Sequence, residues 1–96
     1  MSFTGNPQTF NVVCTAKNTE YALAVPTGTN KIVLQARTAD CRRAWEKGRV
    51  ADATAGTYQT IKAAVAPLTI AESVMPSTIY FASGTDGAVV EVECWS

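Results

Sequence analysis

The closing run Ala88-Val89-Val90-Glu91-Val92-Glu93-Cys94-Trp95 constrains this chain more than any other stretch. On an extended backbone Val90, Val92 and Cys94 fall on one face, and Glu91 and Glu93 on the other, with Val89 and Trp95 at the ends of that second face. A period of two held over this length predicts a half-buried β-strand. Just upstream, Thr78-Ile79-Tyr80-Phe81-Ala82 is rich in β-branched and aromatic residues, and the link Ser83-Gly84-Thr85-Asp86-Gly87 is turn chemistry. Two such runs joined by a short Gly-containing loop predict a β-hairpin. Trp95 is then expected as an apolar anchor that carries this end of the chain into the core.

The same grammar recurs upstream. Alternation places Phe10, Val12 and Cys14 on one face of a strand at 9–16, Tyr21, Leu23 and Val25 on one face of a strand at 21–25, and Ile32, Leu34 and Ala36 on the inner face of a strand at 31–37. Pro26-Thr27-Gly28 stops the second of these, because Pro fixes φ and Gly permits a positive φ. Residues 41–50 are ambiguous. Arg, Ala, Glu and Lys favour helix, but Gly48 interrupts the pattern and no apolar stripe at helical spacing appears, so the reading is a strand at 41–46. A small-residue loop follows at 51–56, then strands at 57–61 and 68–70, with Pro67 arguing for a sheet edge or a bend. Seven or eight short strands and no long helix predict an all-β fold, a small Greek-key or jelly-roll-like β-sandwich spanning 9–96. Residues 1–8 read as an N-terminal arm. Its one large apolar side chain, Phe3, gives two readings: a frayed terminus, or an arm laid on a neighbouring subunit.

Ninety-six residues make one domain with one core. Apolar residues make up 47% and charged residues 17%, which excludes global disorder and leaves few groups for a strongly polar exterior. Eight basic and eight acidic residues cancel. With Arg42-Arg43 the one adjacent basic pair, dedicated nucleic-acid binding is not expected. No apolar run approaches the ~20 residues that span a bilayer, and the start of the chain has no signal-peptide pattern, so neither membrane nor secretion is expected. Three cysteines without CxxC spacing read as reduced, buried small hydrophobes rather than a disulfide scaffold.

Catalytic chemistry finds little to use. No histidine is present to serve as a base for a Ser or Cys nucleophile or to complete a zinc site. Cys41 beside Arg42-Arg43 has the charge environment that lowers a thiol pKa, though a core cysteine fits the same residues. Glu91 and Glu93 lie ~6.5–7 Å apart along one strand face, a spacing open to glycoside hydrolysis, yet alternating Glu is also what a solvated strand face requires. There is no phosphate-binding glycine loop and no calcium loop. The expectation is a protein that is not an enzyme, with no cofactor and no metal. Trp45, Trp95 and Tyr58 allow either an aromatic sugar platform or core and interface anchors.

The segment Tyr21-Ala22-Leu23-Ala24-Val25-Pro26-Thr27-Gly28-Thr29-Asn30-Lys31-Ile32-Val33-Leu34-Gln35-Ala36-Arg37 resembles an opening found in small virion proteins of tailed bacteriophages. There an apolar strand, a Pro-x-Gly turn and a second strand ending in Gln-x-Arg occur together. Cys41-Arg42-Arg43-Ala44-Trp45-Glu46-Lys47-Gly48 is similar to the next strand of that family, Thr57-Tyr58-Gln59-Thr60-Ile61 to the one after, and 78–83 with the turn and 89–96 to its closing hairpin. The segment Ala63-Ala64-Val65-Ala66-Pro67 departs from it in lacking a Gly-rich turn, the three cysteines are not part of the pattern, and residues 1–20 match nothing in it. The resemblance implies a non-enzymatic structural protein of the virion, made in the host cytoplasm: a capsid decoration or cement protein that binds the major capsid protein lattice as a homo-oligomer. A neck or tail ring component is the alternative within that class, and a small carbohydrate-binding module the alternative outside it. The residues expected at the assembly contacts are Phe3 and Phe10 in the arm, the exposed Arg42 and Arg43, Trp45, and the loop around 51–55.

Overall fold

A computed structural model describes residues 7–52 and 56–96. Phe3 and most of the expected arm, and the centre of the 51–55 loop, lie outside the described residues. The described chain forms eight strands: β1 (Gln8–Cys14), β2 (Tyr21–Ala24), β3 (Lys31–Ala36), β4 (Cys41–Ala44), β5 (Gln59–Ile61), β6 (Leu68–Ala71), β7 (Thr78–Ser83) and β8 (Ala88–Trp95). They build two four-stranded antiparallel sheets, ordered β1-β8-β3-β6 and β2-β7-β4-β5. Successive strands therefore swap sheets along most of the chain, and this interleaving is the jelly-roll connectivity of a β-sandwich.

The alternation read from β8 sets the core. Ala88, Val90, Val92 and Cys94 are buried, and β8 is paired on both sides, with β1 and β3. Ile32, Leu34 and Ala36 of β3 join them, and Cys41, Ile61, Ile79 and Phe81 close over them from the other sheet. Phe10, Val12, Tyr21, Leu23 and Val25 pack at the margins of this cluster, on the faces their spacing predicts. The Pro26 turn closes as expected. The Thr29 N–H and hydroxyl both donate to the Pro26 carbonyl, and Gly28 takes φ +87°, which a side chain there would resist.

Several expectations are corrected. β7 and β8 are not a hairpin: β7 pairs with β2 and β4, whereas β8 pairs with β1 and β3. The four residues between them carry the chain from one sheet to the other, with Gly87 at φ +76° and its N–H donated to the Cys14 carbonyl at 2.8 Å. Trp95 does not enter the core. It continues the Glu91 and Glu93 face, half-buried, with the Lys31 ammonium 4.6 Å from its ring centre. β1 begins at Gln8, inside the expected arm, and β4 ends at Ala44, two residues early.

The early end of β4 has a packing reason. The segment after it folds back over the outer face of β4 and β7, where Val50, fully buried, joins Ala44 and Ala82 in a second small core flanked by Tyr58 and Tyr80. One sheet thus has a covered outer face at its centre. The outer face of the other sheet presents Thr9, Asn11, Glu91, Glu93, Val33, Gln35 and Arg37, all exposed or half-exposed.

Candidate functional site

Arg42 and Arg43 are neighbours on β4 that point to opposite sides of the sheet, and both are only 8% exposed. Their expected role as exposed contacts is therefore corrected. Arg42 belongs to the covered outer face. Its Nη1 donates to the Val50 carbonyl at 2.8 Å and the Ala51 carbonyl at 3.4 Å, and its Nη2 donates to Asn18 Oδ1 at 2.8 Å. Asn18 is positioned for this by φ +54°, a conformation that asparagine tolerates better than most residues. With its ring contact to Tyr58 at 5.6 Å, Arg42 is the tether that holds the 45–52 segment down.

Arg43 faces the interior beside Phe81 in the neighbouring strand. Its guanidinium donates from Nη2 to Gln59 Oε1 and lies 5.8 Å from the Trp45 ring centre, but its buried Nε–H has no acceptor. Burial pushes the Arg43 pKa down. Trp45, half-buried, leans on the core edge. Together Arg43, Trp45, Glu46, Thr57, Tyr58 and Gln59 line a surface cleft of about 410 Å³. Two of the three aromatic residues singled out in the sequence meet here. The third, Trp95, is on the other sheet.

Phe10 is not an arm residue. It sits in β1 opposite Val92 and packs against the core. The surface apolar residues lie elsewhere: Val13, 49% exposed, at the end of the edge strand β1; Val65 and Leu68 beside the edge strand β6; and Val74, 84% exposed, in the link to β7. Val65, Pro67 and Leu68 line a shallow groove of about 210 Å³ against Thr60 and Ile61 of β5. Pro67 does stand at a sheet edge, as its ring chemistry requires. These exposed positions carry no alternation signal, which is why pattern reading missed them.

Glu91 and Glu93 lie on the open outer face, in a trough of about 410 Å³ with Thr9, Asn11, Gln35 and Arg37. Arg37 Nε donates to Glu91 Oε2 at 2.6 Å. A carboxylate held by a guanidinium is arranged as an ion pair, not as a proton donor to a substrate. Asp40 is likewise tied into the fold. Its Oδ1 accepts from the Ala63 N–H at 2.8 Å, with the Lys62 ammonium 3.5 Å from Oδ2, and the Ala63 hydrogen bond foremost, then Lys62, hold its pKa below the ordinary value. Among the described residues no three His, Cys, Asp or Glu side chains converge as a metal site.

Comparison of the chain with family models, with curated proteins and with solved structures finds no match.

Proposed function

We propose that this chain is a structural protein of a tailed-phage virion, a decoration or cement protein that binds the major capsid protein lattice as a homo-oligomer and performs no catalysis. The observation that carries the reading is the jelly-roll sandwich, a topology that recurs in viral capsid domains, in a chain whose strand-and-turn pattern resembles small phage virion proteins. The support is at the level of fold and pattern. The surface agrees with an adhesive role. Among the described residues the edge strands β1 and β6 have no outer partner strand, next to Val13, Val65 and Leu68, and many weak copies gain avidity on a repeating lattice. The test is the copy number of the chain in purified particles by quantitative mass spectrometry. Hundreds of copies are expected. A dozen or fewer would move the protein to a neck or tail ring, and none would overturn the virion reading.

A specific observation favours a second reading, a carbohydrate-binding module. Trp45 and Tyr58 meet in one cleft with Gln59 and with Arg43, whose Nε–H has no acceptor, and jelly rolls also serve as lectin domains. Binding to a glycan array that Trp45→Ala abolishes would support it. No binding to any glycan would remove it.

A further inference from the structure

We propose that Cys14 and Cys41 are a redox pair, which a peroxide closes into a disulfide joining the two sheets while Cys94 stays a thiol. The strand register brings the pair together. Cys14, the last residue of β1, lies opposite Ala88, the first residue of β8. Cys41, the first residue of β4, lies opposite Ser83, the last of β7. Only residues 84–87 separate Ser83 from Ala88, so one short turn draws these strand ends of the two sheets together. Two backbone hydrogen bonds hold the corner: Gly87 N–H to the Cys14 carbonyl at 2.8 Å and Asn18 N–H to the Ser83 carbonyl at 2.7 Å. Cys14, Cys41, Ala88 and Ser83 are all buried, so both sulfurs enter the same end of the interior.

Both cysteines belong to the same buried core cluster, and the Cys41 S–H donates to the Ala39 carbonyl at 3.4 Å. The two sulfurs are not equivalent. Interaction with Cys14 lowers the Cys41 pKa, whereas interaction with Cys41 and burial push Cys14 up. That direction favours Cys41 over Cys14 as the thiol that ionises on opening of the corner and acts as the first nucleophile. Its sulfur attacks one peroxide oxygen and the O–O bond breaks, giving a sulfenic acid and hydroxide, which takes up a proton as water. Cys14 then attacks the sulfenic sulfur. The S–S bond forms as the S–O bond breaks, and the oxygen leaves as a second water. In sum two thiols and one hydrogen peroxide become one disulfide and two waters.

Cys94 lies outside the pair. It pairs with Gln8 and Ile32 at the opposite end of β8, six residues or about 20 Å from the corner. Both sulfurs are fully buried, so oxidant reaches them by local opening of this corner, where the edge strand β1 ends at Cys14 and passes into an exposed turn. On a particle that leaves a reducing cytoplasm, the staple would close after release; the chemistry itself does not depend on the virion reading.

The experiment oxidises the folded protein with hydrogen peroxide, in buffer and in urea below the unfolding midpoint. Thiols are then alkylated under denaturing conditions and counted by intact mass. Wild type is expected to lose two alkylation sites and 2 Da, to give a Cys14–Cys41 linked peptide, and to recover both thiols in dithiothreitol. The link is expected to raise Tm by roughly 10–20 °C, as a cross-link closing a loop of this length does. Cys14→Ser and Cys41→Ser should each form no intramolecular link, and Cys94→Ser should still form it. Three alkylatable thiols after oxidation in both conditions, a link through Cys94, or a linked protein that melts lower would each overturn the proposal.

Discussion

Arg42 and Arg43 are equally buried, adjacent and chemically identical, yet their removal should have very unequal consequences. Arg42→Met keeps most of the apolar stem and deletes the charged head. It removes two hydrogen bonds at 2.8 Å and one at 3.4 Å, and strands the Val50 carbonyl under the folded-back segment. Hydrogen bonds to a charged group are worth about 1.5–3 kcal/mol each, and an acceptor left buried keeps its desolvation cost. Counting the two short bonds, Arg42→Met should cost about 3–6 kcal/mol, a large share of the ~5–15 kcal/mol that stabilises a typical domain. Arg43→Met deletes a desolvated charge whose Nε–H has no acceptor, and returns the exposed Gln59 amide to water. Replacing such a group by an apolar one of similar volume is often neutral or stabilising, so the expected change is within about 1 kcal/mol of wild type. In urea, with an m-value of about 1–1.5 kcal/mol/M, the Arg42→Met midpoint falls by roughly 2–6 M and that of Arg43→Met hardly moves. Amide exchange at 45–52 should quicken in the first variant alone. Equal midpoint losses in the two variants would refute the tether at Arg42 and the orphaned donor at Arg43 together.

Two further perturbations have signs set by the structure. Trp95→Phe removes an indole N–H that is buried without an acceptor while keeping a ring under Lys31; Tm should hold within about 4 °C or rise, and a fall of more than about 8 °C would mean the N–H is satisfied. Asp40, its pKa lowered chiefly by the Ala63 N–H and then by Lys62, contributes stability that is present above the unfolded carboxyl pKa and lost as pH falls through the folded one. Urea midpoints from pH 6 to pH 2 should therefore decline less steeply in Asp40→Asn than in wild type, and parallel profiles would show that the carboxylate contributes nothing.

How much of this was legible in the sequence depended on whether the signal was local. The inward faces of β1, β2, β3 and β8 follow from period-two patterning because each strand buries one side, and a register slip of one residue would expose it. Sheet partnership is not local. The turn at 84–87 looks like a hairpin connection, and nothing within its residues says that Ser83 and Ala88 belong to different sheets. Trp95 misled for the reverse reason. Its size suggests the core, whereas its place in the alternation, on the side of Glu91 and Glu93, already put it outside. Arg42 and Arg43 read as surface because arginine usually is. Their burial depends on Val50, Asn18 and Gln59, between 8 and 24 residues away, and no spacing rule connects those positions. The aromatic pair Trp45 and Tyr58 was legible as residue types, but their shared cleft required the fold.

The asymmetry of the two outer faces bears on the adhesive reading. The face of β4 and β7 is closed at its centre by Val50 and stitched by Arg42, so its residues are occupied with holding the chain's own loop. Among the described residues the face of β1, β8 and β3 has no such cover, and its centre is a ladder of Glu91, Glu93 and Gln35 with one guanidinium on Glu91. An acidic, hydrogen-bonding strip of this kind is costly to dry and suits a wetted contact or none. The apolar residues that gain from burial are at the margins instead, with Val13 beside one edge of that sheet and Val65 and Leu68 beside the other. A lattice protein built on this fold is therefore expected to join its neighbours edge to edge, through β1 and β6, and to leave the Glu ladder facing water. Charge reversal at Glu93 should then leave incorporation into particles unchanged, while Val65→Asp or Leu68→Asp should lower copy number several-fold at unaltered Tm. The opposite ranking would place the contact on the sheet face.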